Sequence, residues 1–245
     1  MAMTRTRTVT ADRRGPMDHL AKLLRLVQFA DSALPVGAFS FSNGLESAIQ
    51  QGVVHDAETL KAMVLSATRQ AATLDGVALI VAHRAAQMSD LCTIVAADQA
   101  SYQRKLGEEM RLMTVRMGRK LGELGEHVVK TPLLADWMEK VRSGATPGTF
   151  PIGLAIITSD LGIEVNEAFA VHQYGVAAMM LGAALRLMRI SFLETQAILL
   201  EVNGTVEDMY EQVRAGTLSD MRNFSPVTDI LAAVHVKAHV RMFMN

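Results

Sequence analysis

Apolar residues recur at spacings of three and four along most of the chain, which is the pattern of amphipathic helices. Residues 102–128 show it most clearly, and their charged side chains lie largely off the apolar stripe. A second stripe runs from Ala57 to Leu74. Runs of β-branched residues, which are typical of strands, are few. The pattern therefore predicts an all-α protein.

Turn and capping residues divide this pattern into about ten helices joined by short loops. The first is expected from Asp18, as N-cap, to Ala30. Others are expected near 43–52, 57–74, after Gly76, over 102–128, from Pro132, and over 151–160, 165–188, 191–202, 205–214 and 226–243. Residues 18–245 are predicted to form one helical bundle. Residues 1–17 are predicted to be a disordered basic tail.

Glycines interrupt the longest apolar stripe, although each costs about 1 kcal/mol relative to alanine inside a helix. Gly118 and Gly122 are four residues apart and share a helix face. One interpretation is that a neighbouring helix, of this chain or of a second copy, approaches closely there. The other is that the helix breaks near residue 118.

Composition adds limits on partners and compartment. The 24 Lys and Arg residues nearly balance the 25 Asp and Glu residues, so the chain as a whole does not attract nucleic acid or an acidic membrane. The single cysteine, Cys92, excludes an internal disulfide and fits the reducing cytoplasm. Its apolar neighbours predict that it is buried.

The segment Ala168–Leu185 carries no formal charge over about the length of a bilayer span. It also contains His172, Gln173 and Tyr174, and it is rich in Ala and Gly. We interpret it as the central helix of a soluble core, with a membrane span as the alternative. His172 and Tyr174 are either hydrogen-bonded core residues or a polar point at a subunit contact.

A search for catalytic motifs is negative: the chain has no phosphate-binding glycine loop, nucleophile elbow or zinc-protease motif. His235 and His239 lie four apart on a predicted helix, but two imidazoles do not complete a metal site. No metal site is therefore predicted. The absence of a nucleophile with its base favours a protein that positions other proteins over an enzyme with an apolar substrate.

The stretch LPVGAFSFSNGLE is an apolar loop rich in residues that restrict the backbone. With the helix before it, this stretch resembles the N-terminal motif of UreF, the urease accessory protein family. The matching residues are Ser32, Leu34, Pro35, Gly37, Phe39, Ser40, Ser42, Gly44, Leu45 and Glu46. Segments that begin at Tyr174 and Phe224 resemble later parts of the family. The chain departs from the family pattern at Phe150 and Val236.

The resemblance implies an all-α homodimer that binds the GTPase UreG and the accessory protein UreD, also called UreH. That assembly would deliver nickel to apo-urease and couple delivery to GTP hydrolysis. The resemblance implies no enzymatic activity and no tightly bound cofactor, with nickel at most in transit. The alternative is a helical scaffold or interaction protein unrelated to urease.

The motif also suggests how a partner is bound. Pro35 and Gly37 are expected to fix a turn, and Asn43 and Glu46, on either side of Gly44, to cap a short helix. The loop would then present Phe39 to a partner, most plausibly UreG, with Ser40 and Tyr174 on the same surface. The alternative is that Phe39 and Phe41 fill the core.

The end of the chain offers a second predicted surface. His235, His239 and Arg241 lie on the final predicted helix. We expect this helix to dock on UreD/UreH.

Overall fold

The computed structural model describes residues 19–31, 34–235 and 242–243, with the backbone alone at 229 and 232–235. These residues are helical, without a strand, which confirms the all-α prediction. The predicted tail and the N-cap Asp18 lie outside them. The α-helices are α1 His19–Ala30, α2 Leu45–Gln50, α3 Ala57–Ala71, α4 Val77–Gln87, α5 Leu91–Gln103, α6 Glu108–Val128, α7 Pro132–Arg142, α8 Phe150–Asp160, α9 Val165–Leu187, α10 Phe192–Asn203, α11 Val206–Val213 and α12 Pro226–His235.

Helix α9 is the central element of the fold. It packs against α1, α3, α8 and α10, among others. Phe169 in its first half lies in one hydrophobic core, and Met180 in its second half lies in another. The uncharged segment is therefore a core helix, as the sequence predicts.

Two helical segments, Ala57–Gln87 and Val165–Leu187, are long and apolar enough to cross a membrane. Just over half of the most apolar part of each is buried inside the protein. Such burial is what the core helices of a folded bundle show.

Helix α6 is continuous, so the predicted break near residue 118 is wrong. A Cβ atom at Gly118 would lie 2.2 Å from the carbonyl oxygen of Gly148, in the loop before α8. One at Gly122 would lie 2.2 Å from the sulfur of Met138 in α7. The glycines thus allow other parts of the same chain to approach α6 closely.

Helices α3 and α4 form one continuous rod, joined by a π-helical turn over Ala72–Gly76. The sequence suggested two separate helices. The wider turn accompanies a tertiary contact, in which the carbonyl of Thr73 accepts a hydrogen bond of 3.0 Å from the backbone N–H of Arg222. The segment that leads into α12 is thereby tied to this rod.

A fully buried carboxylate, Asp98 on α5, organises the loop between α7 and α8. Its Oδ1 accepts from the backbone N–H and the hydroxyl of Thr149, at 2.8 and 2.6 Å. Its Oδ2 accepts from the Thr146 hydroxyl, the Gly148 N–H and the Trp137 indole, at 2.8, 2.9 and 3.3 Å. Every hydrogen bond joins two parts of the chain that are distant in sequence.

The prediction that Cys92 is buried is wrong, because its side chain is exposed on the first turn of α5. The neighbouring residues are apolar, but only some of them face inward: Ile94 is buried and Leu91 is partly buried. Local apolarity identifies a helix here without identifying its buried face.

Candidate interaction surface around Phe39

In the loop of the LPVGAFSFSNGLE motif, one aromatic ring is exposed to solvent and another is buried in the core. Gly37 has φ 86° and begins a short 3-10 turn over Ala38–Ser40. This left-handed conformation favours glycine. Phe41 is buried, whereas the Phe39 side chain is 73% exposed. The core-filling interpretation therefore holds for Phe41 and is wrong for Phe39.

The predicted capping pair of Asn43 and Glu46 is not formed. Helix α2 begins after Gly44, which is its N-cap residue, with φ 80° and no side-chain cap. Asn43 itself adopts φ 55°, so it belongs to the turn before the cap. The hydroxyl of Ser42 accepts a long hydrogen bond of 3.4 Å from the Glu46 N–H. The Glu46 carboxylate is left to bind elsewhere.

Glu46 binds the end of the chain. Its two carboxylate oxygens accept hydrogen bonds from the backbone N–H groups of Met242 and Phe243, at 2.8 and 2.9 Å. Glu46 and Phe243 are both buried. Met242 and Phe243 form a bend, so the predicted last helix does not extend to Phe243; α12 is described to His235.

Replacing Glu46 with glutamine should loosen the end of the chain. The amide nitrogen of glutamine cannot accept, so one of the two backbone N–H groups loses its acceptor and the other loses the charge. We expect amide exchange at Met242 and Phe243 to rise about 10- to 100-fold, the equivalent of roughly 1.5–3 kcal/mol. Hydrogen exchange of the C-terminal peptide measures this. Glu123→Gln, on the exposed face of α6, is the matched control and should change nothing. Unchanged exchange in Glu46→Gln would show that the contact does not hold the segment.

Arg186, near the end of α9, joins the motif loop to this terminal segment. The central carbon of its guanidinium group lies 3.7 Å from the ring centroid of Phe39 and 4.2 Å from that of Phe243. Its Nη2 donates a hydrogen bond of 3.1 Å to the carbonyl of Phe39. No local pattern in the sequence around Arg186 predicts these contacts. The place of Arg186 between two aromatic rings is visible only in the folded structure, because Phe39 and Phe243 both lie far from it in sequence.

A cleft of about 260 Å³ lies beside Phe39. Tyr174 lines the same cleft and is partly buried, so the structure brings together the two aromatic residues that the sequence placed on one surface. Ser40 is exposed on the loop but is not part of the lining. The walls are mostly apolar, from Phe29, Val36, Met113, Met117, Phe150 and Met179.

The inner end of the cleft is polar. His172 is buried, and its Nδ1 makes no hydrogen bond within the described residues, so the expectation of a satisfied core histidine fails at that atom. Burial lowers the pKa of His172 to about 4, although nearby Asp75 opposes the change, so the ring is neutral at physiological pH. Asp75 forms an ion pair with buried Lys105 and accepts from the Ser101 hydroxyl at 2.8 Å. Burial alone would raise the pKa of Asp75, but the positive charge of Lys105 holds it below its ordinary value.

Metal binding has little support in the part of the chain that the structure describes. No group of three or more His, Cys, Asp or Glu side chains converges there. The His235 ring and all of His239 and Arg241 lie outside it. Their predicted role in docking stays a prediction.

Comparison with known proteins identifies the family. The family model of UreF matches residues 54–203. Urease accessory protein UreF 2 of Brucella abortus (strain 2308) is 56% identical over 226 residues, which cover 92% of this chain and 93% of that protein. UreF of Yersinia pestis (strain Pestoides F) is 51% identical over 91% of this chain and 98% of that protein.

The chain belongs to the UreF family. It is accordingly an accessory protein and not an enzyme. The alternative of a helical scaffold unrelated to urease accessory proteins is wrong.

Proposed function

We propose that this UreF-family protein assembles with the GTPase UreG and with UreD/UreH, and that the assembly couples GTP hydrolysis to nickel delivery into apo-urease. It acts as a cytoplasmic homodimer, without nucleic acid or membrane as a partner. It holds no cofactor tightly, and nickel passes it only in transit. Family membership supports the urease connection, and one structural observation supports the mode of binding: the exposed, fixed ring of Phe39.

The Phe39 surface is the proposed contact for UreG. The ring is fixed by the Gly37 turn and by the Arg186 guanidinium, yet it is 73% exposed. A side chain that is already ordered loses little entropy on binding, and aromatic residues are frequent anchors of interfaces. Tyr174 and the apolar cleft behind the ring supply the area around such an anchor.

The C-terminal region is the proposed contact for UreD/UreH. Phe224, Val227 and Ile230 follow one another at spacings of three and are 83%, 56% and 63% exposed. They form an apolar stripe over the start of α12, and such a stripe suits docking into a partner's groove. His235, His239 and Arg241 would extend this contact toward the end of the chain.

Phe39→Ala should weaken UreG binding without changing the melting temperature. Loss of an interface anchor costs about 2 kcal/mol or more, which is roughly a thirtyfold rise in Kd. The measurement is a titration of UreG against this protein bound to UreD/UreH, with GTP, magnesium and nickel present. Thermal unfolding of the variant is followed in parallel.

Leu193→Ala is the matched control, because Leu193 is 79% exposed on α10 and does not line the cleft. It should leave UreG binding unchanged. If Phe39→Ala keeps both its melting temperature and its affinity for UreG, the proposed contact is wrong. If the unmodified chain binds neither UreG nor UreD/UreH, the whole proposed function fails.

A further inference from the structure

The cleft beside Phe39 is large enough to receive a side chain from another molecule. Its volume is about 260 Å³, whereas an apolar cavity of about 150 Å³ already holds a benzene ring. Phe39, which is 73% exposed, lies at the mouth, and His172, which is 3% exposed, lies at the inner end. An occupant of the cleft therefore passes from solvent into the interior of the protein.

Part of the lining is rich in sulfur and aromatic rings. Met113 and Met117 lie about one turn apart on α6, and Met179 comes from α9. Phe29 and Phe150 belong to the same lining. Thioether sulfur packs favourably against aromatic rings, and the flexible methionine side chain adapts to the shape of what it contacts. This lining therefore suits an aromatic ring.

The charges at the inner end disfavour a charged occupant. Asp75 lines the cleft and would repel a carboxylate. Its own charge is already paired with the ammonium group of buried Lys105, so an entering cation would have to displace that partner. The His172 ring is neutral at physiological pH, because burial lowers its pKa to about 4. The group that reaches the inner end should therefore be neutral.

The His172 ring lacks hydrogen-bond partners among the described residues. Its Nδ1 is enclosed by protein and has none. Its Nε2 makes no hydrogen bond to them either, but Nε2 is not enclosed in the same way. A neutral imidazole has one N–H donor and one acceptor, so the role of Nε2 depends on the tautomer. A hydroxyl group both donates and accepts, and it can therefore bond to Nε2 in either tautomer.

We infer that the cleft holds the side chain of a tyrosine presented by UreG, with its ring against the methionines and its hydroxyl bonded to His172. The inference rests on the proposed contact between the Phe39 surface and UreG, and it names the group that enters the cleft. Tyrosine combines an aromatic ring with a neutral hydroxyl at the far end, whereas tryptophan offers only a donor. Tyrosine is also frequent among the side chains that anchor interfaces.

The chemistry of the cleft is tested first without UreG. The probes are p-cresol, which reproduces the side chain of tyrosine, and toluene, which lacks only the hydroxyl. Each is titrated against the full chain carrying isotope-labelled methionine methyl groups, followed by NMR. The signals of Met113, Met117 and Met179 should shift, and that of Met88, which is 72% exposed after α4, should not. Equal shifts at Met88 would mean non-specific binding and would overturn the inference.

The hydrogen bond is tested by His172→Phe, which keeps a ring but removes both nitrogen atoms. The ratio of the toluene Kd to the p-cresol Kd should fall at least about tenfold in this variant, because the hydroxyl loses its partner. An unchanged ratio would overturn the assignment of His172. Circular dichroism and thermal unfolding show whether the variant is folded.

A second variant blocks the cleft without altering the core. Gly182 lines the cleft from an exposed position on α9, and a Cβ atom there would meet nothing within 4 Å. Gly182→Phe should therefore fold and should abolish the binding of p-cresol, whereas Gly182→Ala should still bind it. Binding of p-cresol at full strength by Gly182→Phe would overturn the location of the site.

Variants of UreG identify the source of the ring. Each tyrosine of UreG is replaced in turn by phenylalanine, which removes only the hydroxyl. One of these variants should bind the unmodified chain roughly tenfold more weakly, yet should bind His172→Phe as well as unmodified UreG does. If UreG binds and no tyrosine behaves in this way, the insertion is wrong while the proposed function stands. If unmodified UreG does not bind at all, the proposed function fails and the insertion with it.

Discussion

Replacing Asp98 with alanine is expected to destabilise the protein more than any other single substitution considered. The change removes the acceptor of five hydrogen bonds, all buried, whose donors are Trp137, Thr146, Gly148 and Thr149. A buried donor without an acceptor costs about 1–3 kcal/mol, although relaxation and entering water reduce the sum. We expect a loss of roughly 3–5 kcal/mol in the free energy of unfolding, measured by denaturant titration.

Two further variants show whether the carboxylate itself is responsible. Asp98→Asn keeps one acceptor oxygen and nearly the same volume, so it should lose less than Asp98→Ala. Asp90→Ala removes the N-cap of the same helix, where Asp90 accepts from the Thr93 N–H at 3.1 Å, and should cost only about 1 kcal/mol. Equal losses for Asp98→Ala and Asp90→Ala would mean that the buried network contributes no more than an ordinary helix cap.

The second large effect is expected at Gly118. The Cβ of alanine would lie 2.2 Å from the Gly148 carbonyl oxygen and 2.4 Å from the Thr149 carbonyl carbon. Both are backbone atoms in the loop that Asp98 fixes, so they cannot rotate away. Gly118→Ala should therefore lower the free energy of unfolding by about 3 kcal/mol, despite the better helix propensity of alanine. Thermal and denaturant unfolding measure the change.

Gly175→Ala is the matched control, because a Cβ at this exposed position of α9 would meet nothing within 4 Å. It should stabilise the protein by about 0.5–1 kcal/mol. Gly122→Ala should fall between the two, since the atom nearest to its Cβ is the sulfur of the flexible Met138 side chain. If Gly118→Ala and Gly175→Ala change the free energy of unfolding equally, the loop before α8 is able to move away from α6.

The helices were predictable from sequence because each is encoded by local spacing. The predicted segments 151–160, 165–188 and 191–202 differ from α8, α9 and α10 by one residue at most at each end. Long apolar stripes, Pro132 at the start of α7 and short loops were enough for this. Local signals also placed a restricted loop around Phe39.

The failures come from contacts between distant residues. Glu46 has the spacing of a capping residue from Asn43, but the backbone N–H groups that donate to its carboxylate lie almost 200 positions away. The glycines of α6 are equally compatible with a break until α7 and the α8 loop are seen against them. The roles of Asp98 and Arg186 had no local signal, because a single charged residue on a helix is ordinarily solvated.

The attachment of the last residues to Glu46 has a consequence for synthesis. Met242 follows Glu46 by 196 residues, and the two are hydrogen-bonded at 2.8 Å. At translation rates of about 5–20 residues per second, Glu46 waits roughly 10–40 s for these partners. Until then the Phe243 ring is not there for Arg186 to contact, and Glu46 lacks the hydrogen bonds from Met242 and Phe243. A chain that stops before Met242 lacks the two hydrogen bonds to Glu46 and the second ring beside Arg186, so the surface around Phe39 is complete only after these residues are made.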